Sequence, residues 1–524
     1  MFSDNNINIL LRQLAIIIFF WFNKVVRKFF EIIPASIAWL TIVAMFLLSY
    51  LTPTFVAIFI ILFDIYWLLK TIFLSFHLNH AYSEMKKNLK IDWLTKLKNL
   101  GVNKNLNINY DDVYHLILLP FYKESHEVIK ESLESILNSN YDKNKFIIIL
   151  GAEERAQDIA KQTAIKIKKE YEDKFYCFKI TNHPANLLGE IPGKGSNESW
   201  MGKFAQAEII DKQNIPYENI LVSVFDIDTT VYQEYFGILT YKFLTCKKPL
   251  RSSYQPIPLF INNIYTTPAL ARVVSFSATF WQMMQQARPE RLTTFSSHSM
   301  PFKALSDIGF WGKDLVSEDS RIFWQCFLHY DSDWKVEPLN YPVSMDSNAT
   351  PKFWKTMKNI YKQQRRWGWG VENVPYMLEG FRQNKIIPWY KKIYWSFITL
   401  EGFHSWATNA LLIFALGWLP LYLGGEHFNY SLLSYSLPEV TRFIMTLAMI
   451  GIVSSAIMSV ILLPSKPKWF KWYHYLIYII QWVLMPITLI IFGSLPGLEA
   501  QTRLALGGRF KLGFWVTPKF RNTK

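Results

Sequence analysis

The sequence predicts an α/β protein, a doubly wound and mostly parallel sheet flanked by α-helical transmembrane segments. Three observations lead there. Hydrophobic residues make up 51% of the 524 and aromatics 17%, yet 19% are charged, and the two populations are segregated into greasy ends and a polar middle. That middle, about 112 to 345, alternates short β-branched runs with stretches of helical length. One run, Leu221 to Thr230, ends abruptly in Asp226 and Asp228. Carboxylates at the carboxyl end of a buried strand lie where open α/β sheets bind ligands, and two at i and i+2 suit one hard divalent cation.

Residues 5–31 carry a short apolar core with Arg12 before it and Lys24, Arg27 and Lys28 after it, which reads as an interfacial amphipathic segment over 1–32. Two apolar runs joined at Pro53 then form a transmembrane hairpin over 33–77, with no Lys or Arg between Phe30 and Lys70. Basic residues on both outer flanks place both ends of the hairpin, and the soluble region after it, in the cytoplasm. The catalytic-type domain is expected over 110–370. Its strands are His115–Pro120, Phe146–Leu150, Phe175–Asn182 and the run before Asp226, with a charged helix at Ala156–Tyr171. Gly193-Lys194-Gly195-Ser196-Asn197 opens the helix before the Asp226 strand, where a Lys in a Gly-flanked turn suits phosphate. Ser317 reads as the cap of a helix that begins at Glu318 and Asp319. Lys352–Trp369 is basic and aromatic, and alone reads as a membrane-surface helix.

Interfacial helices are expected over 371–400, transmembrane helices over 401–495 and a basic tail over 496–524. Three full crossings would put that tail outside, against its charge of Arg503, Arg509, Lys511, Lys519, Arg521 and Lys524. A kinked or re-entrant segment around Pro486, returning the tail to the cytoplasmic face, removes the conflict. The formal charge of +15 follows from 56 Lys plus Arg against 41 Asp plus Glu. Because the basic residues cluster beside apolar spans, they fit membrane flanks and phosphorylated substrates better than nucleic acid. Cys177, Cys246 and Cys326 lie far apart, without metal-site spacing, and suit a reducing compartment.

Taken in order, Asp226-x-Asp228, Glu318-Asp319 and Gln363-x-x-Arg366-Trp367, with spans on both sides, resemble the membrane-integrated family 2 glycosyltransferases, the group of cellulose, hyaluronan and chitin synthases. The resemblance covers roughly residues 112 to 370. It implies a GT-A-like sheet and inverting transfer of a sugar from a UDP- or GDP-sugar to a growing glycan at the cytoplasmic face of the cell membrane. Asp226 and Asp228 would hold Mg²⁺ or Mn²⁺, with Asp226 also at the donor. Asp319 would be the general base, and Glu318 would shape its surroundings. Arg366 would bind the diphosphate; Gln363 and Trp367 would bind the acceptor. Pro120 and Glu124 match a Pro-x-x-x-Glu edge of the nucleotide site, and Lys194 would approach the phosphates. After the second strand the family's usual Asp is replaced by Gly151-Ala152-Glu153-Glu154-Arg155, so Glu153 or Glu154 takes its place at the base. His298 reads as a local hydrogen-bonding residue or a metal neighbour.

The nearest rival is transfer of one sugar to a polyprenyl phosphate or other lipid. A non-catalytic scaffold or transporter on a degenerate transferase fold is disfavoured by intact Asp226, Asp228, Asp319 and Trp367.

Overall fold

The computed structural model describes the backbone of residues 4–101 and 108–520, with side chains from Phe22 onward. At its centre is one eight-stranded sheet. The strands are β1 (Tyr114–Phe121), β2 (Phe146–Glu153), β3 (Cys177–His183), β4 (Ile220–Val224), β5 (Thr230–Val231), β6 (Ser252–Phe260), β7 (Ser299–Pro301) and β8 (Lys335–Met345), in the order β3-β2-β1-β4-β7-β6-β8-β5. The expected parallel, doubly wound core is the β3-β2-β1-β4 half. From β1 the chain steps outward to β2 and β3, then returns to β4 on the other side, so the order reverses between β1 and β4. A crevice opens at the carboxyl ends of strands arranged this way. Beyond β4 the sheet is mixed: β7 runs antiparallel to β4 and β6, and β6 pairs parallel with β8.

β1, β2 and β4 form because their near-continuous Ile, Leu and Val runs are buried on both faces. Alternate residues feed two cores. Ile117 and Leu119 pack with the His126–Leu137, Gln157–Tyr171 and Tyr235–Thr245 helices, whereas Leu116 and Leu118 pack with the Lys194–Ala205 and Glu318–His329 helices. Each such side chain, fully buried, contributes about 1.5–3 kcal/mol. The second core thereby fixes the two helices that begin at Lys194 and at Glu318 on one face of the sheet.

Among the described residues, four helices are long and apolar enough to cross a membrane: Phe22–Leu51, Pro53–Asn88, Leu432–Ile461 and Trp472–Leu506. A pair bent by 49°, Trp389–Phe414 with Leu416–Leu423, makes a fifth candidate. Several expected boundaries fall inside helices. The first helix runs unbroken from Asp4 to Leu51 through Pro34, so no separate segment ends at 32. The second continues past 77 to Asn88, turning from lipid-type residues to an aqueous, Lys-containing last turn without a breaker. The Trp389–Phe414 helix crosses the expected 400/401 boundary, and Leu495–Leu506 crosses the one at 495/496.

The last apolar segment, Trp472–Leu506, is one continuous helix whose pitch changes to a 3₁₀ turn at Gln481–Leu484 and a π turn at Ile490–Ser494 on either side of Pro486. It touches the sheet domain near both ends. Arg272 Nε donates to Gln481 Oε1 at 2.7 Å, and Arg365 Nη1 to Glu499 Oε1 at 2.7 Å. The tail after it packs onto the sheet domain, Phe514 lying against Gly193.

Candidate active site

The crevice between β1 and β4 is lined by carboxylates gathered around two ammonium groups. Lys194 opens its helix, and its Nζ lies 2.8 Å from Asp226 Oδ1 and 2.8 Å from Asp319 Oδ1. Glu198 and Glu318 stand behind these at 3.5 and 3.7 Å. Burial opposes the charge of Lys194, but the four carboxyl groups outweigh it and raise its pKa well above the ordinary value. For Asp226, burial again works against ionisation, yet Lys194, Lys519 and the Ser296 hydroxyl hold the carboxyl well below the usual range. Ser296 Oγ donates to Asp226 Oδ2 at 2.7 Å.

Glu318 and Asp319 occupy the first turn of the Glu318–His329 helix. Ser317 does not cap it with its side chain. Instead, Glu372 Oε1 accepts from Val316 N, Ser317 N and Ser317 Oγ at 3.0, 2.9 and 2.7 Å, while Glu372 Oε2 takes Trp369 Nε1 at 2.9 Å. A carboxylate bond to the chain entering the helix thus replaces the expected hydroxyl cap. Gly195 permits the approach of the two helices, since a Cβ there would lie 2.9 Å from Glu318 Cβ and 3.1 Å from Gly312 O. Glu318 is 1% exposed, and its oxygens accept no hydrogen bond among the described residues. Burial and the Asp319 charge push its carboxyl up to about 8. Glu198, fully buried, is raised well above the carboxylate range chiefly by burial. His298 Nδ1 lies 3.1 Å from Phe295 O and 3.9 Å from Asp319 Oδ1. Burial lowers its pKa to about 4, which keeps it neutral and makes it a local hydrogen-bonding residue.

Asp228 is fully buried. Its Oδ2 accepts from Lys519 Nζ at 2.7 Å and from Asp346 N at 2.9 Å, while its Oδ1 has no partner among the described residues. Burial and the Asp228 charge push the nearby Asp346 carboxyl up to about 8. Asp226 and Asp346 act on the same Lys519 ammonium, so carboxylate oxygens of the kind a hard divalent cation takes are gathered here, although among the described residues the three carboxyl groups that lie close enough together to share one ion are Glu198, Glu318 and Asp319.

The remaining expected residues converge from other elements. Pro120 is on β1 opposite Gly151. Glu124 Oε2 accepts from Tyr122 N and Lys123 N at 2.7 and 3.1 Å, and burial raises its pKa. Gln363 and Trp367 lie on the Phe353–Gly368 helix, held by Asn348 Nδ2 at 3.2 Å and by the rings of Phe260 and Phe295 at 5.9 and 5.8 Å. Arg366 Nε is buried without a partner among the described residues, and its guanidinium stands 5.1 Å from the Phe514 ring centroid. Glu153 stands apart at the end of β2, forked by Arg155, whereas Glu154 Oε2 is taken by Ala185 N at 2.8 Å.

Sequence reasoning misses Glu198, Ser296, Asp346 and Lys519. Glu198 follows Lys194 at the i+4 spacing that could have flagged it. Asp346 and Lys519 carry no local signal, since only tertiary folding brings them to Asp228.

No protein-family model matches the chain. Among curated proteins it is similar to the poly-beta-1,6-N-acetyl-D-glucosamine synthase of Staphylococcus epidermidis, 24% identical over 261 residues, which is 49% of this chain and 54% of that protein. The enzyme of the same name from Staphylococcus aureus (strain COL) is 24% identical over 315 residues, 59% of this chain and 63% of that protein. The chain therefore spans somewhat over half the length of the curated relatives it matches. These relatives bear out the resemblance to membrane-integrated family 2 glycosyltransferases. Two solved structures align with the chain at low scores. They are a mannosyltransferase from Pyrobaculum calidifontis in complex with GDP-Man and Mn²⁺ (13% identity, 76% of this chain and 99% of that one, TM-score 0.41) and S. aureus TarS 1-349 in complex with UDP-GlcNAc (13%, 66% and 90%, TM-score 0.35).

Proposed function

We propose that this protein is a membrane-integrated inverting glycosyltransferase that moves a sugar from a UDP- or GDP-sugar onto a growing glycan, acting processively at the cytoplasmic face of the cell membrane. One observation carries the reading. A single buried ammonium, Lys194, joins the Asp226 carboxylate of the β4 end to Asp319 at the start of a second helix, at 2.8 Å each. Donor-side and acceptor-side carboxylates are thus held one side chain apart at the switch point of the sheet.

Asp319 takes the proton of the acceptor hydroxyl as the new bond forms. Glu318, held near 8, stays protonated at neutral pH and does not compete as a base. Lys194 and Arg366 supply fixed positive charge toward the diphosphate, and Gln363 and Trp367 hold the acceptor sugar. Asp226, Asp228 and Asp346 would hold Mg²⁺ or Mn²⁺, which when bound would neutralise the leaving diphosphate. Glu124 braces the turn at the nucleotide edge beside Pro120.

The purified protein in lipid, given Mn²⁺ and a panel of UDP- and GDP-sugars, tests this by nucleoside diphosphate release and product size. Release with one donor and a ladder of products is expected. One short lipid-extractable product would replace the reading with single-sugar transfer to a lipid, and no release with any donor would reject it.

A further inference from the structure

Away from the crevice, three cations meet where the second apolar helix reaches the sheet domain. Along Pro53–Asn88, Phe73 and Phe76 are exposed, whereas Leu78 and Ala81 further on pack with Phe276 and Phe280 of the Ala269–Gln286 helix. Lys70, a turn before Phe73, has its Nζ 3.4 Å from Glu401 Oε1. Arg288 and Arg291 come from the turn that follows the Ala269–Gln286 helix. The Arg288 guanidinium carbon stands 5.4 Å from the Phe73 ring centroid, and its Nε lies 3.4 Å from Glu290 Oε1. Arg291 is half-buried, and its guanidinium makes no hydrogen bond or ion pair among the described residues. Burial, then the Arg288 charge beside it, lower its pKa, while Tyr394, Glu401 and Glu290 act the other way.

Lys70, Arg288 and Arg291 thus face only Glu401 and Glu290, and the Glu290 side chain, 58% exposed, is largely given to water. Two guanidiniums side by side, one of them unpaired, leave a surplus of positive charge that an anion between them relieves. Their planar N–H forks match the oxygens of a phosphate. Depth says where that phosphate comes from. Exposed tyrosines border the cluster on both helices, Tyr66 under Lys70 on one and Tyr390 and Tyr394 on the other. Such rings lie at the level of lipid headgroups, and basic pockets between spans at that level take anionic headgroups. A zwitterionic headgroup would bring its own ammonium against three cations, so the fit is to a lipid of net negative charge.

We propose that Lys70, Arg288 and Arg291 form a binding site for the phosphodiester of an anionic phospholipid. The site lies outside the carboxylate crevice and does not depend on the transferase reading. It fastens the sheet domain to the bilayer at the foot of the second helix.

The full chain in a non-ionic detergent, given phosphatidylglycerol, phosphatidylcholine or inorganic phosphate, tests it by native mass spectrometry and thermal unfolding. Wild type should retain phosphatidylglycerol at least about fivefold more tightly than phosphatidylcholine, which is roughly the attraction of one basic residue near a membrane. Its unfolding midpoint should rise with phosphatidylglycerol and stay unmoved by inorganic phosphate. Arg291→Gln and Arg288→Gln should each remove most of the preference. Lys468→Gln deletes the same charge from an exposed site just before the last apolar helix and should keep it. Equal retention of the two lipids by wild type overturns the proposal without any variant, so it stays testable even where an arginine variant fails to fold. An equal loss in Lys468→Gln would reduce the preference to general surface charge and overturn the site. An equal rise with inorganic phosphate would assign the cluster to a soluble anion and overturn the lipid.

Discussion

Glu318 and Asp319 are adjacent in sequence and unlike in surroundings, because Asp319 reaches Lys194 at 2.8 Å while Glu318 is closed off at 1% exposure. Asp319→Asn keeps the shape and removes the base, so transfer should fall about 10²–10⁴-fold. Donor affinity measured by titration should persist, and near-normal turnover would reject the assignment. Glu318 makes a separate prediction about pH. Its folded pKa of about 8 lies above the ordinary value of 4.5, so between these values the native state holds a proton that the unfolded chain has lost. The stabilisation linked to that proton is complete below about 4.5 and lost as pH rises through about 8. Thermal unfolding of Glu318→Gln, compared with wild type from pH 5 to 8.5, should show a flatter decline with rising pH. Parallel pH curves would mean that Glu318 is not held protonated.

At the scale of elements, two helix starts are pressed together at Gly195, and the second is pinned by Glu372. Gly195→Ala would put a Cβ 2.9 Å from Glu318 Cβ and 3.1 Å from a backbone oxygen, neither the far end of a flexible side chain. Overpacking of this kind costs about 1–3 kcal/mol. Because it moves the turn bearing Glu318 and Asp319, turnover should drop more than donor affinity; equal losses in both would place the damage elsewhere. The elements most legible in the sequence are β1, β2 and β4, whose apolar runs need only local pattern to be read. β6 is far less legible, because Pro256 and Pro258 argue against a strand. The fold accommodates them with a register shift between Gln255 and Ile257. Asp226, Asp319 and Arg366 are legible as an ordered set of motifs. That Lys194 joins two of them is not, since the contact depends on how two helices pack over the sheet. The Ser317 cap fails as a reading because Glu372, 55 residues away, outcompetes the local hydroxyl.

At the scale of the whole molecule, the segment that carries Phe514 and Lys519 packs over the carboxylate crevice. The last apolar segment meets the sheet domain at Gln481 and again at Glu499. The tail then runs over Gly193 and past Arg366 with Phe514, and delivers Lys519 to Asp228 at 2.7 Å. A basic tail in sequence reads as membrane-surface charge. In three dimensions one of its cations neutralises a buried carboxylate some 290 residues earlier. Burial opposes the charge of Lys519, but Asp228, Asp226 and Asp346 outweigh it and raise its pKa. An ammonium on Asp228 Oδ2 and a divalent cation on the same carboxylate are competitors, since both draw on the same negative charge. Removing the ammonium should therefore strengthen metal binding. A charge-assisted hydrogen bond is worth roughly 1.5–3 kcal/mol, so Lys519→Met should tighten Mn²⁺ binding to the nucleotide-free protein about tenfold or more. Titration followed by the paramagnetic signal of free Mn²⁺ measures this directly. Unchanged or weaker binding would show that Lys519 and the metal do not contend for Asp228, and the tail would then be a brace rather than a counter-charge.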